Sequence, residues 1–279
     1  MTKIYFNTNA FDHHHHEIDV TKDRQEAELL VMGAKTVEIE KFINLKAVYR
    51  FGVGANNVPV EYLREREISV YFPSEETKTI LYDSTANFTA YLILYMNYCD
   101  SFGQIDGWKK FTRQYARNKN LLIIGTGNIG GRVVKKLGDF MQVSTFDIQK
   151  NQVSELKGLI GLADFISLHM PMTADNKNFI DREKLSWMKD DAVLVNTARG
   201  PLVDEEALHD RLTLTNMRAA FDVFWVEPYA GRLSKLPREK FFMTPHTASQ
   251  TGDFVEAGFS EILKIAEGIH VSQPYKSGG

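Results

Sequence analysis

Three ionisable side chains follow short apolar runs of the sequence, and together they could carry out acid–base chemistry on an anionic ligand. They are Arg199, Glu227 and His246. The planar guanidinium of Arg199 is suited to bind a carboxylate with two parallel hydrogen bonds. His246 can donate a proton near neutral pH, and a nearby Glu227 carboxylate would favour its charged form and fix its ring. The three residue types therefore indicate an anion clamp, a proton donor and an orienting acid.

Each of the three also has a purely structural interpretation. Arg199 could belong to an internal ion pair, Glu227 could be a solvated loop acid, and His246 could be a satisfied turn histidine. Their shared position favours function, because open parallel sheets bind ligands at the carboxyl ends of their strands. We therefore expect the three side chains beside one common site.

The element that would build this site is a Gly-x-Gly-x-x-Gly sequence at Gly125, Gly127 and Gly130. The apolar run 121–124 precedes it, and residues 129–140 follow with apolar side chains at helical spacing. In such a strand–turn–helix the first glycine allows the tight turn, and the second lets the backbone approach a pyrophosphate. The third lets the helix pack on the strand. The phosphates would meet unpaired N–H groups at the start of the helix.

An acidic residue favours a dinucleotide over a nucleotide-free turn. The apolar run 143–146 ends at Asp147, which lies 22 residues after Gly125. An acid at this distance can accept hydrogen bonds from the ribose hydroxyls of NAD, and it would repel the 2′-phosphate of NADP. We therefore predict NAD as the cofactor. Lys150 is close enough in sequence to weaken the preference over NADP.

Apolar runs alternate with helical patterns along the chain, which predicts an α/β architecture. Six later runs indicate the parallel sheet of a Rossmann-type, doubly wound domain; they are residues 121–124, 143–146, 163–168, 192–195, 218–221 and 241–244. Earlier strands are expected at residues 3–6, 27–32, 46–51 and 68–72. We predict an NAD-binding domain at residues 91–252 and a substrate domain at residues 1–90 plus 253–279, with the active site between them.

A long helix is predicted from Ser84 to Tyr98, with Asp83 or Ser84 as its N-cap. Its apolar side chains cover most of its circumference, so we expect it to be buried between layers or at a subunit interface.

Two polar segments allow alternative interpretations. The glycines of residues 52–57 could present backbone N–H groups to a carboxylate, or they could form a plain turn. The histidine run His13–His16 could capture a metal in principle. Consecutive residues point in different directions, however, so we favour an exposed polar loop and predict no metal site.

The composition is that of an ordinary globular protein, with 279 residues, 25% charged side chains and a net charge of −3. This charge gives no sign of a nucleic-acid surface, and the longest apolar run, residues 91–96, is far too short to span a membrane. The single cysteine, Cys99, excludes an internal disulfide and fits a reducing compartment. Since the first residues also lack a secretory apolar run, we expect a cytoplasmic location.

Motifs in a fixed order give the chain a specific resemblance. They are Gly52-Val53-Gly54-x-Asn56-Asn57, Gly125-x-Gly127-x-x-Gly130 with Asp147, Leu168-His169-x-Pro171-x-Thr173, Asn196-Thr197-Ala198-Arg199-Gly200-x-Leu202-Val203-Asp204, Phe221-Asp222-Val223-Phe224-x-x-Glu227-Pro228 and Thr244-Pro245-His246. In order and spacing the chain resembles the D-isomer-specific 2-hydroxyacid dehydrogenase family. The resemblance implies a smaller, flavodoxin-like α/β substrate domain beside the Rossmann-type domain, and a homodimer paired through the long helix.

The resemblance also assigns roles to residues. It implies that Arg199 binds the substrate carboxylate and the reacting oxygen, that His246 is the catalytic acid/base, and that Glu227 pairs with it. The backbone of Val53 and Gly54 would bind the substrate carboxylate. The implied cofactor-binding positions are Gly125, Gly127, Asn128, Ile129, Gly130, Asp147, His169, Pro171, Thr197, Ala198, His246, and Asp222 at the nicotinamide carboxamide.

We therefore predict an NAD-dependent oxidoreductase that interconverts a 2-keto acid and a D-2-hydroxy acid. Phosphite or formate oxidation within the same family is one alternative, although Glu227 argues against formate because those enzymes usually carry glutamine there. A dinucleotide-sensing binding protein, like the family's corepressors, is another alternative, because such proteins keep the catalytic residues. No nucleic-acid or membrane partner is expected.

Overall fold

The computed structural model describes residues 1–55, 57–98 and 114–269 of the chain. These residues form two compact units, one comprising residues 1–81 and those from 250 onward, the other residues 82–249. The sequence-based domain limits at residues 90 and 252 remain predictions. Asn56 and Cys99 lie outside the described residues.

Ten strands and seven helices make up the two units in the described part of the chain. The strands are β1 (Ile4–Asn7), β2 (Leu29–Met32), β3 (Ala47–Arg50), β4 (Ser69–Tyr71), β5 (Asn120–Ile124), β6 (Gln142–Phe146), β7 (Phe165–Leu168), β8 (Val193–Asn196), β9 (Arg218–Phe221) and β10 (Phe241–Met243). The helices are α1 (Val60–Glu65), α2 (Glu75–Tyr98), α3 (Gly130–Leu137), α4 (Val153–Leu162), α5 (Arg182–Trp187), α6 (Glu205–Leu214) and α7 (Gly252–Gly268). None of these helices is long and apolar enough to cross a bilayer.

The first unit is built on a parallel sheet with the strand order β1-β2-β3-β4. Strands β2 and β3 are buried at every position, as expected for parallel strands that are covered on both faces. A flavodoxin-like sheet has the strand order 2-1-3-4-5. The order of the described strands matches it when strand 2, which lies at the edge next to strand 1, is left out. Helix α7 belongs to this unit, and its Phe254 stacks on Phe51 with ring centroids 4.2 Å apart.

The second unit is a six-stranded parallel sheet with the order β10-β9-β8-β7-β5-β6. This confirms the predicted Rossmann-type sheet. Leu122 and Ile124 of β5 pack on one side with α4–α6, whereas Leu121 and Ile123 pack on the other side with α2 and α3. The strand order reverses between β5 and β7, and a sheet wound in both directions opens a ligand crevice there, at the carboxyl ends of its strands.

The long helix α2 begins at Glu75, so the predicted start at Ser84 is wrong. Ser74 caps the helix, because its Oγ accepts a hydrogen bond from the backbone N–H of Thr77 at 3.2 Å. Glu75 and Glu76 occupy the first turn, where the positive end of the helix dipole favours acidic side chains. Because the first turn of the helix is polar, the spacing of apolar residues does not predict where the helix begins.

The histidine run does not form the expected exposed loop either. Residues Asp12–Glu17 form a 3₁₀ turn, and His14 within it is buried. The ring of His14 stacks on Phe259 of α7, with centroids 4.0 Å apart. This contact with a residue far away in sequence could not be inferred from the run itself.

Candidate active site

The glycine turn between β5 and α3 is packed too tightly for larger residues. Gly125 has a positive φ of 92°, and a Cβ at this position would lie 2.8 Å from the backbone carbonyl of His169. A Cβ at Gly130 would lie 2.0 Å from the carbonyl oxygen of Gly125. Helix α3 can therefore begin against the end of β5 only because both positions are glycine.

Gly127 differs, because a Cβ there would meet no atom of the described chain within 4 Å. Protein packing gives no reason for this glycine, whereas the close approach of a ligand does. Within the described residues, the backbone N–H groups of Gly127, Asn128 and Ile129 form no hydrogen bond. They lie immediately before α3, an arrangement that binds phosphate. The turn therefore fits the pyrophosphate of a dinucleotide.

Asp147 follows β6 and contacts this turn. Its Oδ2 accepts hydrogen bonds from the backbone N–H and the hydroxyl of Thr126, at 2.9 and 2.7 Å. These bonds, with a weaker contribution from the charge of Lys150, lower the pKa of Asp147. Lys150 Nζ also donates to Thr126 Oγ1 at 2.9 Å. The ionised carboxylate fits the ribose hydroxyls of NAD, and the Lys150 ammonium lies close by.

His169 follows β7, across the switch point from Gly125. Its Nε2 shares a hydrogen bond with Ser167 Oγ at 2.9 Å. Desolvation lowers the pKa of His169 to about 3, so the ring is neutral and cannot serve as a proton donor near neutral pH. The carbonyl of Pro171, two residues further on, accepts a hydrogen bond from Asn176 Nδ2 at 2.6 Å. These two predicted cofactor positions lie in an ordered segment beside the glycine turn.

The loop after β8 is organised by Asn196. Its Oδ1 accepts a hydrogen bond from the backbone N–H of Ala198 at 3.0 Å, and its Nδ2 donates to the carbonyl of Arg199 at 2.8 Å. Thr197 is buried, and its hydroxyl shares a hydrogen bond with Thr89 of α2 at 2.7 Å. The backbone from 197 to 199 is therefore fixed from both sides.

Arg199 lies in this loop with much of its hydrogen-bonding capacity unused. Its Nη1 donates to the carbonyl of Ala198 at 2.6 Å, and no carboxylate of the described chain forms an ion pair with it. This geometry argues against the structural ion pair. Burial lowers the pKa of Arg199, and the charge of Glu227 opposes that effect; a guanidinium remains charged in proteins. A half-buried cation of this kind is suited to bind an anion.

His246 and Glu227 are brought together by the loops after β10 and β9. His246 Nδ1 lies 2.8 Å from Glu227 Oε2, and the backbone N–H of Phe224 donates to Glu227 Oε1 at 3.0 Å. Burial by itself would raise the pKa of Glu227, but the hydrogen bond and charge of His246 and the Phe224 N–H outweigh it and lower the pKa. The pair is therefore an ionised carboxylate that orients an imidazole.

Asp222, at the end of β9, holds the loop that carries His246. It is fully buried, and its carboxylate accepts hydrogen bonds from Thr244 Oγ1 at 2.6 Å and from the N–H groups of Thr247 and Ala248 at 2.9 Å each. Burial raises the pKa of Asp222, and these three bonds oppose that effect. The carboxylate therefore has a clear positioning role, and its predicted contact with a carboxamide stays a prediction.

Val53 and Gly54 belong to the first unit, in the loop after β3. The buried Arg50 donates from Nε to Asn57 Oδ1 at 3.0 Å, and Asn57 Nδ2 donates to the carbonyl of Gly33 at 2.9 Å. The loop is therefore anchored at both ends. Arg199, Glu227 and His246 belong to the second unit.

Three polar side chains support the site although the sequence suggested no role for them. They are Thr126 at Asp147, Asn196 at the Arg199 loop and Thr244 at Asp222. Each of these residues lies at or next to the end of a strand, and this position was the feature of the sequence that could have indicated their role. Their partners lie mostly on other segments, so the sequence alone did not indicate the contacts.

Comparison with known proteins gives a family for the chain. Residues 95–248 match the model of the D-isomer specific 2-hydroxyacid dehydrogenase NAD binding domain. The chain is 32% identical over 231 residues to a hydroxypyruvate reductase of Thermotoga maritima, covering 77% of this chain and 74% of that protein. It is also 32% identical over 266 residues to a D-3-phosphoglycerate dehydrogenase of Methanocaldococcus jannaschii, covering 88% of this chain and 51% of the relative. The chain thus spans about half the length of that dehydrogenase.

A solved structure shares the fold of the chain. The crystal structure of the TT0316 protein from Thermus thermophilus superposes with a TM-score of 0.76 at 26% identity, covering 96% of this chain and 97% of that chain. The glycine turn, Asp147 and the strand-end loops lie within the matched NAD-binding region. The chain belongs to the D-isomer specific 2-hydroxyacid dehydrogenase family and is an NAD-dependent oxidoreductase.

Proposed function

We propose that the chain interconverts a 2-keto acid and a D-2-hydroxy acid, with His246 as the proton donor and acceptor. The observation that carries the proposal is the contact of 2.8 Å between His246 Nδ1 and Glu227 Oε2. It lies at the same edge of the sheet as the glycine turn, because both follow the carboxyl ends of parallel strands.

Reduction of a keto acid requires a hydride at the carbonyl carbon and a proton at the carbonyl oxygen. Bound NADH supplies the hydride. Since Glu227 holds Nδ1 of His246, Nε2 is the nitrogen that transfers the proton. The Glu227 carboxylate stabilises the imidazolium before the transfer and fixes the ring during it. In the direction of oxidation, neutral His246 accepts the hydroxyl proton at the same nitrogen.

Arg199 would bind the substrate carboxylate and stabilise the negative charge that develops on the reacting oxygen. Guanidinium N–H groups of Arg199 that have no partner among the described residues support this role, because a planar fork can form two hydrogen bonds at once. The backbone N–H groups of Val53 and Gly54 would bind the same carboxylate. This last contact rests on the resemblance of the loop motif, together with the anchoring of the loop by Arg50 and Asn57.

Asp147 would give the site its preference for NAD over NADP. Asp222 would reach the nicotinamide carboxamide through its remaining acceptor capacity. The other cofactor positions would line the turn and the two neighbouring loops; they are Gly125, Gly127, Asn128, Ile129, Gly130, His169, Pro171, Thr197 and Ala198.

We infer a homodimer that pairs through α2. On this helix Phe88, Tyr91 and Tyr95 form an aromatic group with centroid distances of 5.7 and 5.9 Å, and Tyr91 is 49% exposed. Light scattering at micromolar concentration should give twice the chain mass, and a monomer would contradict this inference. A cytoplasmic location is consistent with the single cysteine.

The function is tested by following NADH absorbance with glyoxylate, pyruvate and hydroxypyruvate as substrates. We expect turnover with at least one keto acid, and a loss of nearly all turnover in His246→Ala with NADH binding retained. Binding of NADH without turnover on any keto acid would contradict the proposal and favour a dinucleotide sensor.

A further inference from the structure

The 3₁₀ turn Asp12–Glu17 and helix α7 bring three potential metal ligands together in the first unit. One ligand atom each of His13, His14 and Glu256 lies within 4.8 Å of the other two. His14 Nε2 is 3.1 Å from Glu256 Oε1, and His13 Nε2 is 3.9 Å from the same oxygen. The cluster therefore joins adjacent residues of the turn to a helix more than 200 residues further along the chain.

Consecutive side chains leave a 3₁₀ turn in directions about 120° apart, yet the rings of His13 and His14 lie against each other. Their ring centroids are 4.1 Å apart with an angle of 42° between the ring planes. One face of the His14 ring is also fixed, because it stacks on Phe259 with ring centroids 4.0 Å apart and an angle of 11° between the ring planes. The general expectation that neighbouring side chains diverge does not hold for this pair.

A second carboxylate supports His14 from the side opposite the cluster. Glu17 Oε1 lies 2.7 Å from His14 Nδ1. Metal-binding histidines commonly donate one ring N–H to a carboxylate, which fixes the tautomer and leaves the other nitrogen for the metal. With Nδ1 bound to Glu17, Nε2 of His14 is the nitrogen that points to Glu256.

We propose that His13, His14 and Glu256 form a binding site for Zn²⁺. Two imidazole nitrogens and one carboxylate oxygen are a donor set that zinc accepts, with a water in the fourth position. In a tetrahedral site with bonds of about 2.0–2.1 Å, neighbouring ligand atoms are about 3.4 Å apart. The observed separations of 3.1 and 3.9 Å lie on either side of that value.

The bound ion would tie the 3₁₀ turn to α7 and so stabilise the first unit. None of the three ligands is among the residues that take part in the proposed reaction. The ion would therefore act on the stability of the first unit, and its loss should leave the chemistry of the keto-acid reaction unchanged.

Isothermal titration of the EDTA-treated, 279-residue chain with ZnCl₂ tests the proposal. We expect one Zn²⁺ per chain and a higher thermal unfolding temperature in its presence. His13→Ala and Glu256→Gln should each weaken binding at least about tenfold. Both side chains are 62% exposed, so the metal-free variants should unfold at the wild-type temperature.

The matched control is His16→Ala. His16 belongs to the same histidine run, but its side chain is 78% exposed and lies outside the cluster. This variant should bind Zn²⁺ within about twofold of wild type, and Mg²⁺ should not bind to any form. The proposal is overturned if wild type binds no Zn²⁺, if His13→Ala and Glu256→Gln bind as wild type does, or if His16→Ala loses binding equally.

Discussion

Replacing Glu227 by glutamine should move the pH dependence of the reaction without abolishing it. In the proposed reaction, a charged His246 donates the proton for keto-acid reduction, so the rate should fall as rising pH removes that proton. Attraction between the Glu227 carboxylate and His246 lowers the pKa of Glu227, and attraction of this kind favours the imidazolium. Glu227→Gln removes this attraction, and the falling limb should therefore appear at lower pH. The rising limb of hydroxy-acid oxidation should move in the same direction.

The hydrogen bonds of Glu227 strengthen this expectation. One carboxylate oxygen accepts from Phe224 N–H, and the other lies at His246 Nδ1. An amide has one acceptor oxygen, which can serve only one of the two. If the amide oxygen accepts the hydrogen bond from the Phe224 N–H, the amide N–H₂ faces Nδ1 of His246. Nδ1 must then be an acceptor, which favours the neutral imidazole. If the amide oxygen turns to His246, the Phe224 N–H faces another donor.

The size of the shift follows from distance and exposure. An opposite charge within hydrogen-bond distance changes a pKa by about 1–3 units. The His246 and Glu227 side chains are 33% and 28% exposed, so solvent screens part of the attraction. We expect both limbs to move by about 1–2 pH units, which corresponds to about 1.4–2.7 kcal/mol.

Initial rates in both directions across the pH range, at saturating cofactor, measure this shift. The matched control is Glu206→Gln, which removes one negative charge from a side chain that is 81% exposed in the same unit. Its limbs should coincide with those of wild type. If the limbs of Glu227→Gln also stay in place while His246→Ala is inactive, the two side chains are not coupled, and Glu227 is a loop acid.

Three further predictions concern the other parts of the site. Gly127→Ala should keep the wild-type unfolding temperature but weaken NADH binding at least about tenfold, whereas Gly130→Ala should lower the unfolding temperature because its Cβ would lie 2.0 Å from a carbonyl oxygen; equal stability of the two variants would contradict this. Arg199→Lys should lower kcat/KM for the keto acid about 100-fold with NADH binding unchanged, and near-normal turnover would remove Arg199 as the clamp. The kcat/KM of wild type should be higher with NADH than with NADPH, and Asp147→Ala should reduce the ratio of these two values. A higher kcat/KM of wild type with NADPH would refute the role of Asp147.

Much of the second unit could be predicted because its signals are local. The sequence around Gly125, Gly127 and Gly130 specifies a strand, a turn and a helix within about twenty residues, and the structure places them at β5 and α3. The apolar runs likewise correspond to strands, since parallel strands buried on both faces are continuous hydrophobic segments. The place of Asp147 after β6, beside the glycine turn, could be predicted because its distance from the first glycine is set by one strand–helix–strand unit.

The start of α2 and the burial of His14 were not predicted, because both depend on contacts that cannot be inferred from the spacing of apolar residues. The start of α2 is determined by the Ser74 cap and the acidic first turn, and neither contributes to an apolar pattern. His14 is buried because Phe259 lies over its ring, and nothing within the histidine run encodes that neighbour.

Contacts between distant residues also explain how the fold holds His246, the proposed proton donor, in an unfavourable backbone conformation. His246 has a φ of 52°, a conformation that costs a non-glycine residue about 1–3 kcal/mol at a functional site. Asp222 holds the loop on both sides of this residue through Thr244 and Ala248, while Glu227 holds its ring. Both carboxylates follow β9, so one strand end fixes the backbone and the side chain of a residue that follows its neighbour β10. The position of His246 is therefore determined by residues that follow β9, which is why the sequence around His246 could suggest a role for it but could not predict how it is held.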